Sequence, residues 1–211
     1  GATAKMREYS AAQDLKARLE EVGCRLGLTV KCLLTSGDQP VGWGIGPSLE
    51  ALDILAVLKN EDHAPTDLRE RALSLAGELL EMGGASAVGQ GHTLAEQTLR
   101  SGRAWQKFEA ICLAQGGLFE PRVGEHCHNI LAQQPGVLTY INNRFISKLA
   151  KLLGAPNAMG AGIRFNVKLG GRVEKGDLLL SLYAETEGEL AYALEFLDGH
   201  PNEVLIGDEL V

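Results

Sequence analysis

Residues 37–53, GDQPVGWGIGPSLEALD, place glycines at positions 42, 44 and 46 and then a proline at the head of an acidic helix. A glycine loop ahead of a helix can hold phosphate, because its unpaired N–H groups and the helix dipole both favour negative charge. This loop lacks what the recognised phosphate loops add. No Lys-Ser or Lys-Thr follows the glycines, the spacing is not GxGxxG, and Pro47 removes an amide where an anion would seek one. The expectation is a structural loop that turns tightly at the end of a strand. A second cluster is His126, Cys127 and His128. In an extended segment the two histidines share one side, but adjacent ligands without a second cluster make a poor zinc site. His63, His92 and His200 fall in polar stretches and read as solvated loop residues. No GxSxG elbow or comparable nucleophile signature is present, and the Glu20–Glu21 pair reads as a solvent-facing helix surface.

These residues need elements to hold them. Between Ser10 and Leu28 the apolar positions Ala12, Leu15, Leu19, Val22 and Leu26 recur at threes and fours, which predicts an amphipathic helix. LTVKCLLT, residues 28–35, is a short apolar run followed by turn residues and predicts a buried strand. Pro47 suits the first position of a helix through SLEALDILAVLKN. Further helices follow in PTDLRERALSLAGELLEMG, in TLAEQTLRSG, where Thr93 and Glu96 have capping-box spacing, and in GRAWQKFEAICLAQ. LFEPRVGEHCHNILAQQPGV lacks clean periodicity and reads as a connector. Beyond it the pattern predicts a helix in NNRFISKLAKLLG, strands in GIRFNVKLG and DLLLSLYAE joined through GRVEKG, a helix around 188–198 and a VLIG strand. The fold class expected is α/β plus α+β, with residues 1–120 as one domain and 121–211 as connector and second domain.

Composition narrows the functional classes. With 211 residues, 45% hydrophobic, the chain is long enough to bury a core. Its net charge of −7 argues against nucleic-acid binding, which concentrates Lys and Arg to displace counterions. No apolar run reaches the roughly 18–20 residues that span a bilayer, and the opening GATAKMREYS has no signal-like apolar region, so a soluble, cytoplasmic protein without membrane partners is expected. Cys24, Cys32, Cys112 and Cys127 form no CxxC pair and read as free, mostly buried thiols.

Two resemblances carry the functional reading. VKLGGRVEKGDLLLSLYAETE resembles the hairpin of biotinyl and lipoyl carrier domains, but Thr186 falls where those domains modify a lysine, and a threonine cannot form the amide link. More of the chain is covered by a second likeness. GATAKM at the start, GDQPVGWGIGPSLEALDILAVL in the middle and NNRFISKLAKLLGAPNAMGAGIRFNVKLGGRVEKGDLLLSLYAE near the end together resemble the thymidine phosphorylase family, in its branch that includes AMP phosphorylases.

The resemblance implies a chain matching the C-terminal part of a longer enzyme: the end of the phosphorylase α/β domain, then a small α+β domain with the carrier-like hairpin. The family's helical domain, its K-x-S-x-G-G-x-G-D phosphate loop and its base-holding Arg and Ser-x-x-x-Lys lie upstream in sequence and have no counterpart here, so no catalytic residue is expected in this chain and the chain alone is expected to be inactive. The implied reaction is phosphorolysis of thymidine to base and 2-deoxyribose 1-phosphate, with inorganic phosphate as co-substrate and no organic cofactor. AMP phosphorolysis is the alternative, and a non-catalytic binding or carrier-like module the second. Lys5, in GATAK with Ala2 in place of the usual proline, is the implied substrate-binding residue. The family's monovalent cation site would fall on the carbonyls of Val41 and Gly44 and the carboxylate of Asp53, where the family has the longer Glu. A homodimer or higher oligomer is implied for the full-length protein.

Overall fold

Helix α1 (Tyr9–Arg25) forms where the apolar stripe predicted it, yet Leu15, Leu19, Val22 and Leu26 along that stripe are exposed. The computed structural model describes residues 5–201 and 203–207. Among these, residues 28–35 form no strand, which corrects the sequence expectation. A strand needs a neighbour for its ladder of N–H and C=O groups, and no described strand flanks this one. Side chains pin the segment instead. The Cys32 amide donates to Glu20 Oε1 at 3.2 Å, the Lys31 ammonium pairs with the Glu78 carboxylate, and Arg71 donates to the Ser36 carbonyl at 3.0 Å. The hydrogen bond to Glu78 holds the Lys31 pKa above its usual value.

The chain divides into two units. One combines the residues before Asp38 with Leu55–Phe119, the other Asp38–Ile54 with the residues after Phe119. The dividing point Ile54/Leu55 lies inside α2 (Pro47–Leu58), whose first residue is the predicted proline. The first unit continues with α3 (Thr66–Met82), α4 (Gly91–Arg100) and α5 (Arg103–Ala114), and Val57, Leu73, Ala95 and Leu99 form its buried centre. Helices α3 and α4 meet at glycines. A Cβ on Gly77 would stand 2.6 Å from the His92 amide nitrogen, and one on Gly91 would run into the Gly77 carbonyl.

The expected capping box at Thr93 does not form, because α4 begins two residues earlier, at Gly91, and takes its cap from another helix. Glu81 of α3 accepts from the amides of Gly89 and Gly91 through Oε1, both at 2.9 Å. These two bonds, the Gly91 bond foremost, hold the Glu81 carboxyl below its usual pKa. His92 accordingly belongs to a helix and not to a loop.

The second unit holds the strands. One sheet has the order β1 (Gly44–Ile45), β4 (Gly162–Phe165), β6 (Leu178–Ala184), β2 (His126–Leu131), all antiparallel; the other has the order β5 (Arg172–Val173), β3 (Gly136–Ile141), β7 (Val204–Gly207). Central β6 is a near-continuous buried run, as a strand covered on both faces requires. Its Ser181 hydroxyl is satisfied by Asn129 Oδ1 on β2 at 2.9 Å. Strands β4 and β6 pair as the sequence suggested, but the connection between them passes through β5, which belongs to the other sheet. The segment read as a connector contains β2, a correction with a simple cause. On an edge strand facing mostly solvent, polar residues such as His128 and Asn129 leave no hydrophobic alternation to read.

Helix α6 (Asn143–Leu152) fills the middle of this unit through Phe145, Ile146, Leu149 and Ala150, with Leu138, Ile163, Phe165 and Leu182 in the same core. Its N-cap is Asn142, whose side chain accepts from the amides of Arg144 and Phe145, a type of bond that contributes about 1 kcal/mol. Helix α7 (Glu187–Asp198) is capped by Thr186. None of the described helices is long and apolar enough to cross a membrane. The four cysteines are free, but Cys24 and Cys127 are exposed and Cys32 and Cys112 only half-buried, contrary to the buried thiols expected.

Two measurements check this account. Replacing glycine by alanine inside a helix ordinarily stabilises by roughly 0.5–1 kcal/mol, and Gly188→Ala, with open space around it, should do so. Gly77→Ala should instead lower stability by about 1–3 kcal/mol in urea denaturation, because backbone stands where its methyl would go. Equal effects of the two substitutions would refute the α3–α4 contact. For Glu81 the folded pKa is depressed, so its contribution is complete above the unfolded carboxylate range and is lost as pH falls through the folded value. The stability difference between wild type and Glu81→Gln should therefore be largest near neutral pH and shrink in acid.

Candidate functional site

The glycine loop and the first turns of α2 form one hydrogen-bonded unit. Asp53 is buried, 3% exposed, and its Oδ2 accepts from the amides of Trp43 and Gly44 at 2.6 and 2.7 Å. Oδ1 lies 4.0 Å from the Arg164 guanidinium, and Arg164 is the register partner of Gly44 across β1 and β4. Glu50, in the first turn of α2, accepts from the Gly46 amide at 3.1 Å. Asp53 stands in the second turn rather than the first, so the loop amides and Arg164, not the helix terminus, offset its charge. Hydrogen bonds to a charged group contribute about 1.5–3 kcal/mol each.

The glycines answer to steric demands. A Cβ on Gly44 would lie 2.6 Å from the backbone of Leu49, and Gly46, at φ +123°, faces the Ala161 carbonyl. The loop is thus packed against α2 and against the chain entering β4, and its amides at 43, 44 and 46 are committed to carboxylates. Its carbonyls have a partner of opposite sign. The Lys168 ammonium donates to the carbonyl oxygens of Gly42 and of Pro40, the latter at 3.3 Å, and stands 4.9 Å from the centre of the Trp43 ring. Next to it the Leu169 amide donates to Gln39 Oε1 at 2.8 Å. The sequence pointed to Asp53 but gave no sign of Lys168, which lies 126 residues from Gly42.

Lys5 is exposed and immediately precedes a groove in the first unit lined in part by Met6, Arg7, Tyr9, Lys16, Thr35 and Ser36. The residues before it, Ala2 among them, lie outside the described residues. His126 and His128 sit on one face of β2, opposite Ala184 and Leu182. Among the described residues no three His, Cys, Asp or Glu side chains come together as a metal site would need. His63 is paired with Glu61 at 3.2 Å and His92 with Glu70 at 3.7 Å. His200 bonds the Phe196 carbonyl and packs against the rings of Phe145 and Phe196, so it is less simply solvated than its sequence context suggested. Thr186 accepts from the Glu189 amide at 3.2 Å and donates to Glu189 Oε2 at 2.9 Å, the T-x-x-E spacing of a helix start.

Comparison with known proteins matches residues 137–200 to the pyrimidine nucleoside phosphorylase C-terminal domain. The chain is 54% identical to the "Putative thymidine phosphorylase" of Hahella chejuensis, over 99% of this chain and 41% of that protein. It is 52% identical to the protein of the same name from Chelativorans sp., over 93% of this chain and 38% of that one. A third relative, "Putative thymidine phosphorylase 2" of Acidovorax sp., is 53% identical over 95% of this chain and 39% of its own length. The chain thus spans about two fifths of the length of these curated relatives. Residues 137–200 thus carry the pyrimidine nucleoside phosphorylase C-terminal domain, in a chain similar along nearly its whole length to proteins named putative thymidine phosphorylase.

Proposed function

We propose that the whole protein splits the N-glycosidic bond of thymidine with inorganic phosphate, giving thymine and 2-deoxyribose 1-phosphate. The observation that carries this reading is identity of about one half, along nearly the whole chain, to several proteins bearing the thymidine phosphorylase name. Breaking such a bond builds positive charge on the sugar and negative charge on the leaving base. The protein's task is to hold phosphate against the first and cationic donors against the second. Closure around the substrate would exclude water and favour phosphate as the nucleophile.

Within this chain Lys5 is the residue assigned to substrate, its ammonium serving as a mobile point charge. The groups that hold phosphate and base are assigned to the remainder of the protein, so this chain by itself turns nothing over. The same reading has a cytoplasmic homodimer or larger oligomer acting on small molecules. A second reading, phosphorolysis of AMP, is favoured by one observation. Arg7 and Lys16 line the groove that follows Lys5, alongside Glu8 and with Lys16 paired to Glu20, and Arg7 suits a substrate that carries its own phosphate.

The test is to offer thymidine and AMP separately to the full-length protein with phosphate and to follow free base by chromatography. Thymine release is expected. Adenine release without thymine would replace the first reading by the second, and Lys5→Ala should then raise the KM for AMP about tenfold, the size of one charge-assisted contact. Base release by the 211-residue chain alone would overturn the assignment of the phosphate and base groups to the remainder.

A further inference from the structure

The family resemblance places a monovalent cation at the carbonyls of Val41 and Gly44 and the carboxylate of Asp53. The residues found there do not fit a free ion. Asp53 Oδ2 already accepts two amides, and its Oδ1 faces the Arg164 guanidinium. The carbonyls flanking Val41, those of Pro40 and Gly42, accept from Lys168. A potassium or sodium ion held by Asp53 would stand beside the Arg164 guanidinium, and one drawn to the carbonyls next to Val41 would meet the Lys168 ammonium. Like charges at such separations repel strongly where water is partly excluded.

We propose that the Lys168 ammonium is the built-in cation of this loop, taking the place of a monovalent ion. An ammonium group is close to potassium in size and charge. It meets carbonyl oxygens as that ion does, but with three directed donors. Two of these directions are accounted for by Pro40 and Gly42, and the face of Trp43 lies 4.9 Å away, within cation–π range. The Lys168 side chain is half-buried and the adjacent Leu169 amide is held by Gln39, so the ammonium is delivered by a fixed backbone rather than by a free-swinging stem. A tethered charge is present at any salt composition. The segment that leads into β1, which carries the Pro40 and Gly42 carbonyls, should therefore keep its shape irrespective of which monovalent cation is in solution.

The test needs no knowledge of substrate and does not depend on the proposed reaction. For the 211-residue chain, Tm in potassium chloride and in tetramethylammonium chloride at equal ionic strength should coincide, and thallium(I), a potassium mimic visible by NMR, should show no saturable binding. Saturable thallium binding by the wild type, or a Tm that rises with potassium over tetramethylammonium, would overturn the proposal. Lys168→Met should lower Tm by roughly 5 °C and create a potassium response, with potassium but not tetramethylammonium restoring at least half of the loss. A Lys168→Met protein that folds yet shows the same Tm in both salts would also overturn it. Should that variant fail to fold, Lys168→Arg, which keeps the charge, should stay indifferent to potassium, and the wild-type thallium measurement decides alone.

Discussion

The buried carboxylate of Asp53 is the contact on which the second unit's first sheet depends. Strand β1 has only two residues and lies at the edge, next to β4 alone. So short a strand cannot hold its own register. Asp53 fixes it from behind by taking the amides of Trp43 and Gly44, while the Trp43 carbonyl accepts from Phe165 at the far end of β4. The Ser48 amide bonds the Met159 carbonyl, tying the start of α2 to the chain ahead of β4. Residues 38–54 are thereby fastened to a body of residues more than a hundred positions away in sequence, which is why they group with the second unit rather than with the helices that follow them.

The sequence made legible the parts whose pattern is local. Helix α6 shows its apolar face at 145, 146, 149 and 150, the proline at 47 marks a helix start, and β6 reads as a buried strand because both of its faces are covered. Features that depend on a distant partner were not legible. The cap of α4 comes from Glu81, a helix away, so the Thr93–Glu96 spacing misled. Strand β2 was lost because its edge position leaves its polar side chains in solvent. At Thr186 the carrier-like pattern marks only a missing lysine, while the spacing to Glu189 is the ordinary signal of a helix cap. At the candidate site the sequence singled out Asp53, whose place just after the glycine loop is local. Lys168 was invisible because nothing in the pattern of a strand connection tells which side chain will reach back over 126 residues.

The apolar positions of α1 and of residues 28–34 show the opposite limit. Periodicity there specifies a face to be covered but not what covers it. Leu15, Leu19, Val22, Leu26, Leu28 and Leu34 remain exposed in the described structure. A hydrophobic pattern is a statement about transfer from water, and it is met only when a second surface is present.

The electrostatics of the glycine loop also set what a ligand approaching it would meet. A loop of alternating glycines exposes both N–H and C=O groups and is open in principle to an anion on one side and a cation on the other. Here both sides have partners from within the chain, the amides of Trp43, Gly44 and Gly46 in Asp53 and Glu50, and the carbonyls of Pro40 and Gly42 in Lys168. A phosphate approaching the amides would meet two carboxylates, and a metal ion approaching the carbonyls would meet an ammonium. A ligand of either charge would thus meet a tethered group of its own sign, and Gly44 and Gly46 stand where backbone leaves no room for a side chain.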